Sequence, residues 1–406
     1  MRTLLSKGSY AVLDLDRRTK GFFDPITLSN NVRFRYTLFG GVNTVIFAVT
    51  SVGNPNDPTN QVETPITDTD YALPEFFLQT QLPNAGAIRV LEYSRRSDSA
   101  IADNYFFAGS DAGLFVFADS NGNGFSTINL DALSTQPFTT GRWQKISTIP
   151  GAIADIKSIG NFLYVLTYEI TNPQGMKSKL YQIPFAPSIN AMFAGKLLIA
   201  ESGVGAFANN AAFFSVGLLS ANDNGSQEQV ILGTNQGLYS SSIITAAGVP
   251  TWNLLNSTKT TMYPFIQQLD TPIPTTLYAL SVQDDNNQAH TYGRGSIHQI
   301  AAVNANDPVF APSLFNPIGQ TPSTLTLDPL TNFWSDGGRR IFMTNNTTSN
   351  KNGLISVPFS TKEWGITVPE KLNLTLGNTQ RFYWIHQLGA SGILMAGTNN
   401  GIIALE

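Results

Sequence analysis

A short sequence motif that occurs three times, the repeated phrase, constrains the fold of this chain more than any other feature. It runs from an apolar strand through glycine, serine or threonine, and two turn residues to a second glycine and an apolar pair. Its copies span Tyr105–Phe115, Val230–Tyr239 and Leu394–Ile403. Each predicts a β-hairpin closed by the second glycine, because only glycine takes a positive φ there without steric cost. A hairpin repeated along a chain of 406 residues predicts a repeat architecture.

The surroundings of the phrase predict four strands per unit. An apolar strand precedes each hairpin, and a strand that often contains tryptophan follows it, as at Trp143 and Trp252. Four antiparallel strands per unit are typical of a propeller blade. A spacing of roughly 50–65 residues between units matches the longer propeller periods. First strands are then predicted near residues 32, 87, 152, 211, 263, 323 and 381. The sequence therefore predicts an all-β, seven-bladed β-propeller, with six or eight blades as the alternatives.

The two ends of the chain predict how the ring closes. The last unit ends at Glu406 after its third strand, and one alternating apolar strand at 9–16 precedes the first unit. We expect residues 10–15 to pair with residues 401–405 as the outer strand of the last blade. This closure removes exposed sheet edges and makes residues 1–406 one domain.

The phrase also resembles a known group of repeats. Residues 233–239, Gly-Thr-Asn-Gln-Gly-Leu-Tyr, and the variants at 109–115 and 397–403 resemble repeats of bacterial sensor-type and photosystem assembly-factor-like β-propellers, of the WD40-like or YVTN-like kind. The resemblance covers three units clearly and four by pattern. It implies a rigid disc that binds a partner, and it specifies no chemistry.

The amino-acid composition limits the classes of partner and the cellular compartments that we expect for this protein. Charged residues are 13% of the chain, against roughly 25% in typical soluble domains. With a net charge of −4 and no dense Lys/Arg cluster, nucleic acid is not an expected partner. The chain has no cysteine, which excludes disulfides and thiolate sites. A surface rich in Asn, Thr, Ser and Gln favours a periplasmic or secreted location. The N-terminus lacks the apolar core of a signal peptide, so a cytoplasmic location is the alternative.

One uncharged stretch has the length of a transmembrane span. Residues 36–56 carry no charge, but Gly40 and Gly41 interrupt them near the middle. We therefore expect two strands and a turn there, and no transmembrane span.

The residues from Asp119 to Gly124 resemble the first half of a calcium loop. Asp119, Asn121 and Asn123 supply oxygens at alternate positions, followed by glycine. The second half departs from the pattern, because Leu130 stands where a bidentate glutamate is expected. A polar turn after the third strand is the favoured interpretation. Ca²⁺ is the one cofactor considered, and a tight site is not expected because the loop holds a single carboxylate.

Arginines near the predicted first strands suggest an anion site. Arg33, Arg89 and Arg381 fall close to the predicted starts of blades one, two and seven, which ring closure makes neighbours. Their guanidinium groups could then converge within roughly 12 Å at the channel mouth, about one Debye length, and hold a carboxylate or phosphate. The alternative is that each arginine points elsewhere or pairs with an acidic neighbour such as Glu92.

Extended hairpins on the same face suggest a larger binding surface. Blades three, five and six have long loops between their second and third strands, and binding residues are often on such loops. The predicted blade-five loop, Gln283–Gly295, is chemically the most varied, and His290, Tyr292 and Arg294 are its candidate ligand-binding residues. Simple surface variation is the alternative.

These observations favour a non-catalytic binding or scaffolding propeller. Its partner would be a protein, a glycan or a small anion bound at the loop-decorated face. No catalytic motif such as Gly-x-Ser-x-Gly or His-Glu-x-x-His is present. The alternative is a glycan-cleaving or lactone-hydrolysing enzyme with its site in the central channel. Few acidic residues fall on the predicted inner strands, chiefly Glu92 and Asp155, which counts against catalysis.

Overall fold

The structure is a computed structural model. It describes residues 2–5, 8–14, 33–52, 76–94, 105–123, 141–159, 161–171, 175–220, 228–242, 249–255, 265–273, 276–284, 292–302, 308–310, 330–335, 340–345, 353–358, 370–372, 382–387 and 394–405. Within these ranges the regular structure is almost entirely β, and the one helix is the six-residue α1, Ile189–Ala194. No helix in this part of the chain has the length and apolar character needed to cross a membrane.

The described strands form seven four-stranded antiparallel sheets. The first strand of the chain is β1 (Arg2–Leu5). Sheet 1 consists of β2 (Ala11–Asp14), β3 (Arg33–Gly40), β4 (Thr44–Val52) and β5 (Phe76–Gln81). Sheet 2 consists of β6 (Ile88–Ser94), β7 (Tyr105–Ser110), β8 (Gly113–Ala118) and β9 (Arg142–Lys145). Sheet 3 consists of β10 (Ala152–Ile159), β11 (Phe162–Thr171), β12 (Gly175–Pro184) and β13 (Leu197–Glu201).

The remaining sheets repeat this order. Sheet 4 consists of β14 (Phe213–Ser220), β15 (Glu228–Thr234), β16 (Gly237–Ser241) and β17 (Trp252–Leu254). Sheet 5 consists of β18 (Phe265–Ile273), β19 (Thr276–Asp284), β20 (Tyr292–Ala302) and β21 (Pro308–Phe310). Sheet 6 consists of β22 (Leu330–Ser335), β23 (Arg340–Asn345), β24 (Gly353–Pro358) and β25 (Glu370–Leu372). Sheet 7 consists of β26 (Phe382–Gln387), β27 (Leu394–Thr398), β28 (Gly401–Leu405) and, as its fourth strand, β1.

The N-terminal segment supplies strands to two sheets, which corrects the predicted pairing of residues 10–15 with the last strand. It is β1 that pairs with β28, Arg2 opposite Ala404, whereas β2 pairs with β3, Ala11 opposite Gly40. The first unit therefore begins at β2, and β3 is its second strand. The alternating apolar residues of β2 show that one face is buried, but they do not show which neighbouring strand it joins.

The chain divides into two compact units. Unit 1 comprises Met1–Leu163, Ile183–Lys196 and His386–Glu406, and unit 2 comprises Tyr164–Gln182 and Leu197–Ile385. The core of unit 1 joins sheets 1 and 2, with the Phe47 and Phe106 rings edge to face at 5.4 Å. An aliphatic cluster in unit 2 joins sheets 4 and 5 and includes Ile231, Ile266 and Leu277.

The middle strands are the most apolar because both of their faces are covered. Every residue of β7 and β8 is buried, whereas the outer strand β9 has exposed residues at both ends and half-buried residues between them. Continuous apolar runs are expected where a strand is covered on both faces. The tryptophan of the fourth strand ties outer strands together within each unit. Trp143 Nε1 donates to Thr80 Oγ1 at 2.9 Å, and Trp252 Nε1 donates to the Ile199 carbonyl at 2.9 Å.

The first glycine of the repeated phrase allows neighbouring sheets to approach closely. A Cβ at Gly109 would lie 2.6 Å from Ile153 Cγ2 in β10, and one at Gly233 would lie 2.9 Å from Ile266 Cγ2 in β18. Such distances are far below an ordinary van der Waals contact, so a side chain at either glycine would push the next sheet away.

The second glycine and the hydroxyl residue close the turn in the same way in all three copies. The hydroxyls of Ser110, Thr234 and Thr398 donate to the carbonyl three residues later at 2.8–3.1 Å. Each hydroxyl also accepts the backbone N–H two residues later. That later carbonyl belongs to the second glycine, whose φ is between 124° and 129°. The predicted hairpins and their glycine turns are therefore confirmed.

Candidate functional site

The hairpin end of sheet 4 carries a hydrogen-bonded surface within unit 2. Residues 202–212 connect β13 to β14 and run beside the β15–β16 turn. Asn235 Oδ1 accepts the Ala212 N–H at 2.8 Å, and Asn235 Nδ2 donates to the Asn210 carbonyl at 2.9 Å. Gln236 Nε2 donates to Asn210 Oδ1 at 2.9 Å. The connecting segment and the turn therefore form one hydrogen-bonded surface.

Aromatic packing holds this connection in place from below. Phe207 is 5% exposed, and its ring lies 4.8 Å from those of Phe213 and Tyr239 and 5.6 Å from that of Trp252. Burial of an aromatic side chain of this size contributes about 1.5–3 kcal/mol. The connection is therefore anchored through its middle residue.

A serine at the start of the connection links it by hydrogen bonds to its own end and to the neighbouring strand β12. Ser202 Oγ donates to the Ala211 carbonyl at 2.6 Å and accepts the Ser178 N–H at 2.9 Å. Ser178 Oγ in turn accepts the Phe213 N–H at 3.0 Å. The side chains above the connection are thus presented from a backbone fixed at both ends.

The outward side chains of this region are uncharged. Val204 is 56% exposed between Gly203 and Gly205, which take φ values of 80° and 64°. Residues 202–212 and the turn 234–237 contain no ionisable side chain. We define the amide surface by its members Val204, Asn209, Asn210, Asn235 and Gln236. It can offer neutral hydrogen-bond donors and acceptors beside an apolar contact.

Sequence reasoning missed the amide surface. Its signal was available in Gly203-Val-Gly205 and in the paired asparagines that precede β14. Glycines and asparagines are also the ordinary residues of turns, so their presence in a connection does not by itself indicate a binding surface.

Of the three predicted arginines, the structure describes the backbone of Arg33 and the side chain of Arg89. Arg89 forms a bidentate ion pair with Asp111, Nε to Oδ1 at 2.7 Å and Nη2 to Oδ2 at 3.0 Å. Arg33 begins β3, seven residues from Gly40, which is about 23 Å along an extended strand. Gly41 accepts the Ile88 N–H at 2.9 Å, so Arg89 lies at the opposite end of β3 from Arg33. These backbone positions do not favour the predicted convergence, because β3 is a second strand and runs opposite to a first strand. An anion-binding role for Arg33 and Arg89 stays a prediction.

The other predicted ligand-binding residues are partly outside the described chain. Arg381 and His290 lie outside the described residues. Tyr292 and Arg294 belong to β20, which pairs with β19 as far as Asp284 opposite Tyr292. The ladder therefore extends into the segment that was predicted to be a loop. A binding role for these four residues stays a prediction.

The candidate calcium loop is organised by its own hydrogen bonds. Asp119 Oδ1 accepts the N–H groups of Asn121 and Asn123 at 2.9 and 2.7 Å, and Asp119 Oδ2 accepts from Asn123 Nδ2 at 3.3 Å. The Gly122 carbonyl accepts the Ile189 N–H at 2.9 Å, which ties the loop to the start of α1. These contacts support the polar-turn interpretation. Within the described ranges no group of three or more His, Cys, Asp or Glu side chains could hold a metal ion.

Two buried carboxylates lie on neighbouring first strands of unit 1. Glu92 in β6 is 1% exposed and accepts the Ser158 N–H at 2.8 Å. Asp155 in β10 is 8% exposed, and Lys157 Nζ lies 3.9 Å from its Oδ1. Val90 and Ile153, two residues before them, both lie beside Gly109, the first within sheet 2 and the second from sheet 3. Both carboxylates are thus held inside the packing between sheets.

Two tyrosines of unit 2, Tyr181 and Tyr239, have phenol groups whose pKa is changed by burial. Burial raises the pKa of both phenols above the ordinary value of 10. At Tyr181, the Lys179 ammonium lowers the pKa, while the carboxylates of Glu201 and Glu169 raise it. Both groups are therefore neutral at physiological pH, and they act in packing.

Comparison with known proteins supports the fold. No protein-family model and no curated protein sequence matches the chain. Among solved structures, Chaetomium thermophilum Sqt1, solved bound to the N-terminus of the ribosomal protein L10, is 12% identical over 98% of this chain and 84% of Sqt1, with a TM-score of 0.53. Chaetomium thermophilum Raptor is 8% identical, with a TM-score of 0.49, and this chain spans 28% of its length.

A third similar structure is that of an enzyme candidate. A candidate 6-phosphogluconolactonase from Bacteroides uniformis is 10% identical over 89% of this chain and 84% of its own length, with a TM-score of 0.46. The similar structures have WD40-type or other propeller folds. The chain is therefore an all-β protein of four-stranded antiparallel sheets, consistent with a propeller-type fold.

Proposed function

We propose that the seven sheets are the blades of one closed propeller. Sheet 7 takes its fourth strand from the N-terminus, and the chain then enters sheet 1 directly. Ser9 N–H donates to the Thr398 carbonyl at 2.9 Å, just as Ile88 N–H donates to the Gly41 carbonyl where the chain enters sheet 2. The last sheet and the first are thus tied in the same way as two consecutive sheets.

We further propose that this propeller is a non-catalytic binding protein whose partner is another protein. The amide surface carries the proposal, because it is rigid, uncharged and partly apolar. Neutral amides match the N–H and C=O groups of a polypeptide, and Val204 supplies an apolar contact that a protein side chain can cover. The Sqt1 structure supports this proposal only through its similar fold, since that protein was solved with a bound protein segment. A glycan or a small anion is a less favoured partner.

Site-specific crosslinking tests this proposal. A photoreactive amino acid at Gln236 should capture a discrete partner from lysate of the source cells. The matched control places the same group at Asn121, an exposed turn residue outside the amide surface. The captured protein should then bind the purified chain, and Val204→Asp should weaken binding at least about tenfold, since a charge would be buried without a partner. Equal capture at both positions, or unchanged affinity of the variant, would refute the proposal.

Hydrolysis of a glycan or a lactone is the alternative function, and the Glu92 and Asp155 pair is the observation that favours it. Paired carboxylates perform acid and base steps in glycan cleavage. Hydrolysis of aryl glycosides and of δ-gluconolactone by the purified chain and by Glu92→Gln would distinguish the two functions. The binding proposal predicts equal rates for both proteins. Turnover that Glu92→Gln abolishes in a folded protein would favour the enzyme.

A further inference from the structure

A groove opens between the outer strands of sheets 1 and 2. It has a volume of about 350 Å³ and is lined by Thr80, Gln81, Phe117, Gly141, Arg142 and Trp143. These residues come from β5, from β8 and from the start of β9, all within unit 1. The volume falls at the lower end of the range for small-molecule sites. We name it the Trp143 groove.

The aromatic wall of the Trp143 groove is held in a fixed orientation. The indole Nε1 of Trp143 donates to Thr80 Oγ1 at 2.9 Å, and Thr80 Oγ1 donates to the Val45 carbonyl at 2.7 Å. The Trp143 ring lies 5.2 Å from that of Phe117, tilted by 50°. A chain of two hydrogen bonds thus sets the indole against a buried phenylalanine.

The backbone beside the aromatic wall packs directly on it. A Cβ at Gly141 would lie 2.4 Å from Phe117 Cζ, so a larger residue there would displace the ring. Gly141 therefore lets the chain that enters β9 lie against Phe117 at the edge of the groove.

Two polar side chains at the groove are unused. Among the residues that the structure describes, neither the Gln81 amide nor the Arg142 guanidinium has a hydrogen-bond or ion-pair partner, and both side chains are exposed. Arg89 in the same unit differs, since its guanidinium is paired with Asp111. A guanidinium is a planar fork of donors that matches a carboxylate. Positive charge therefore stands beside an aromatic wall without a counterion from the described chain.

We propose that the Trp143 groove binds a small organic carboxylate with an apolar body. The apolar body would lie on the half-buried indole of Trp143, which Phe117 supports from behind, the carboxylate would accept from Arg142, and Gln81 would donate a further hydrogen bond. Charge complementarity selects an anion over a neutral or cationic ligand of the same shape. This site is independent of the amide surface, since no residue is shared.

Titration of the ¹⁵N-labelled protein with phenylacetate tests the proposal. The readout is the indole N–H resonance of Trp143 in two-dimensional NMR, assigned as the peak that Trp143→Phe removes from the five tryptophan signals. We expect a saturable shift of this peak, with smaller changes at the other indoles. The neutral isostere 2-phenylethanol should bind about three- to fivefold more weakly, because an exposed ion pair contributes up to about 1 kcal/mol.

Two variants that each remove one positive charge from β9 distinguish a specific contact of Arg142 from a general effect of charge on binding. Arg142→Gln should bring phenylacetate down to the affinity of 2-phenylethanol, whereas Lys145→Gln should leave it unchanged. Both residues are exposed cations of β9, but only Arg142 lines the groove. The absence of a saturable Trp143 shift, equal affinity for the two ligands, or equal loss in the two variants would each overturn the proposal.

Discussion

Replacing Gly109 with alanine tests whether close approach between sheets explains the first glycine of the repeated phrase. The new Cβ would lie 2.5 Å from Val90 Cγ1 and 2.6 Å from Ile153 Cγ2. Both side chains are β-branched, so they have few alternative rotamers with which to move away. Overpacking of this kind costs about 1–3 kcal/mol. Alanine would otherwise stabilise a strand by about 0.5–1 kcal/mol relative to glycine. Because both contacts are below 2.7 Å, the overpacking cost belongs in the upper half of its range, and we expect a net loss of about 1–2.5 kcal/mol.

The free energy of unfolding should be measured by urea denaturation, followed by both circular dichroism and tryptophan fluorescence. Coincident transitions are needed before the two-state analysis is applied. The same substitution is then repeated in a protein that carries Val90→Ala and Ile153→Ala. These changes remove the two methyl groups nearest to the new Cβ, so its cost should fall by at least about 1 kcal/mol.

The comparison between the two backgrounds decides the question. A cost that is equal in both, within about 0.5 kcal/mol, would mean that the glycine is needed for some other reason. A Gly109→Ala protein as stable as the parent would refute the steric explanation outright. Gly113→Ala supplies a contrast, because its φ of 124° disfavours any side chain while the nearest atom is 3.5 Å away. Its cost should not change in the Val90→Ala, Ile153→Ala background.

Three further predictions follow from contacts elsewhere. Thr234→Val should destabilise the chain by about 1–3 kcal/mol in urea denaturation, because the Gly237 carbonyl loses a buried donor, whereas Thr234→Ser should be close to the parent. Deleting residues 1–7 should lower the melting temperature by exposing the edge of Gly401–Leu405, and an unchanged value would contradict a stabilising role of β1 as the fourth strand of sheet 7. The raised pKa of Tyr181 means that the folded state holds its proton more tightly than the unfolded state, so stability should fall as pH rises above 10. Tyr181→Phe should reduce that fall between pH 9 and pH 11, and an equal fall would contradict the assignment.

The hairpins were predictable because their determinants are local. A glycine with positive φ and a hydroxyl that bonds two and three residues ahead act within one turn, so five consecutive residues specify the geometry. The same reasoning failed for β2, whose alternating pattern reports a buried face and not the identity of its partner strand. The sequence of β1, Arg-Thr-Leu-Leu, has no clear alternation, and pairing with β28 is what makes it a strand.

The candidate sites were harder to predict because their partners are distant in sequence. Arg89 was a reasonable anion ligand until Asp111, 22 residues later, was found to pair with it. Trp143 was recognised only as a recurring feature of fourth strands, and its hydrogen bond to Thr80 spans 63 residues. No sequence pattern connects these positions, since tertiary packing brings them together.

Most residues of the repeated phrase have a structural role, and one position can contribute to a binding surface. The first glycine admits the next sheet, the hydroxyl closes the turn, and the second glycine takes the positive φ. The residue after the hydroxyl reaches back to the chain that enters its own sheet, as Asp111 does to Arg89 and Asn235 to Ala212. The next position varies more in chemistry. Alanine, glutamine and asparagine occupy it in the three copies, and Gln236 there donates to Asn210 and belongs to the amide surface. Because the hydroxyl and the two glycines already specify the turn, this position can change with little effect on the turn, and a partner of the amide surface would be selected there and in the connection that precedes β14.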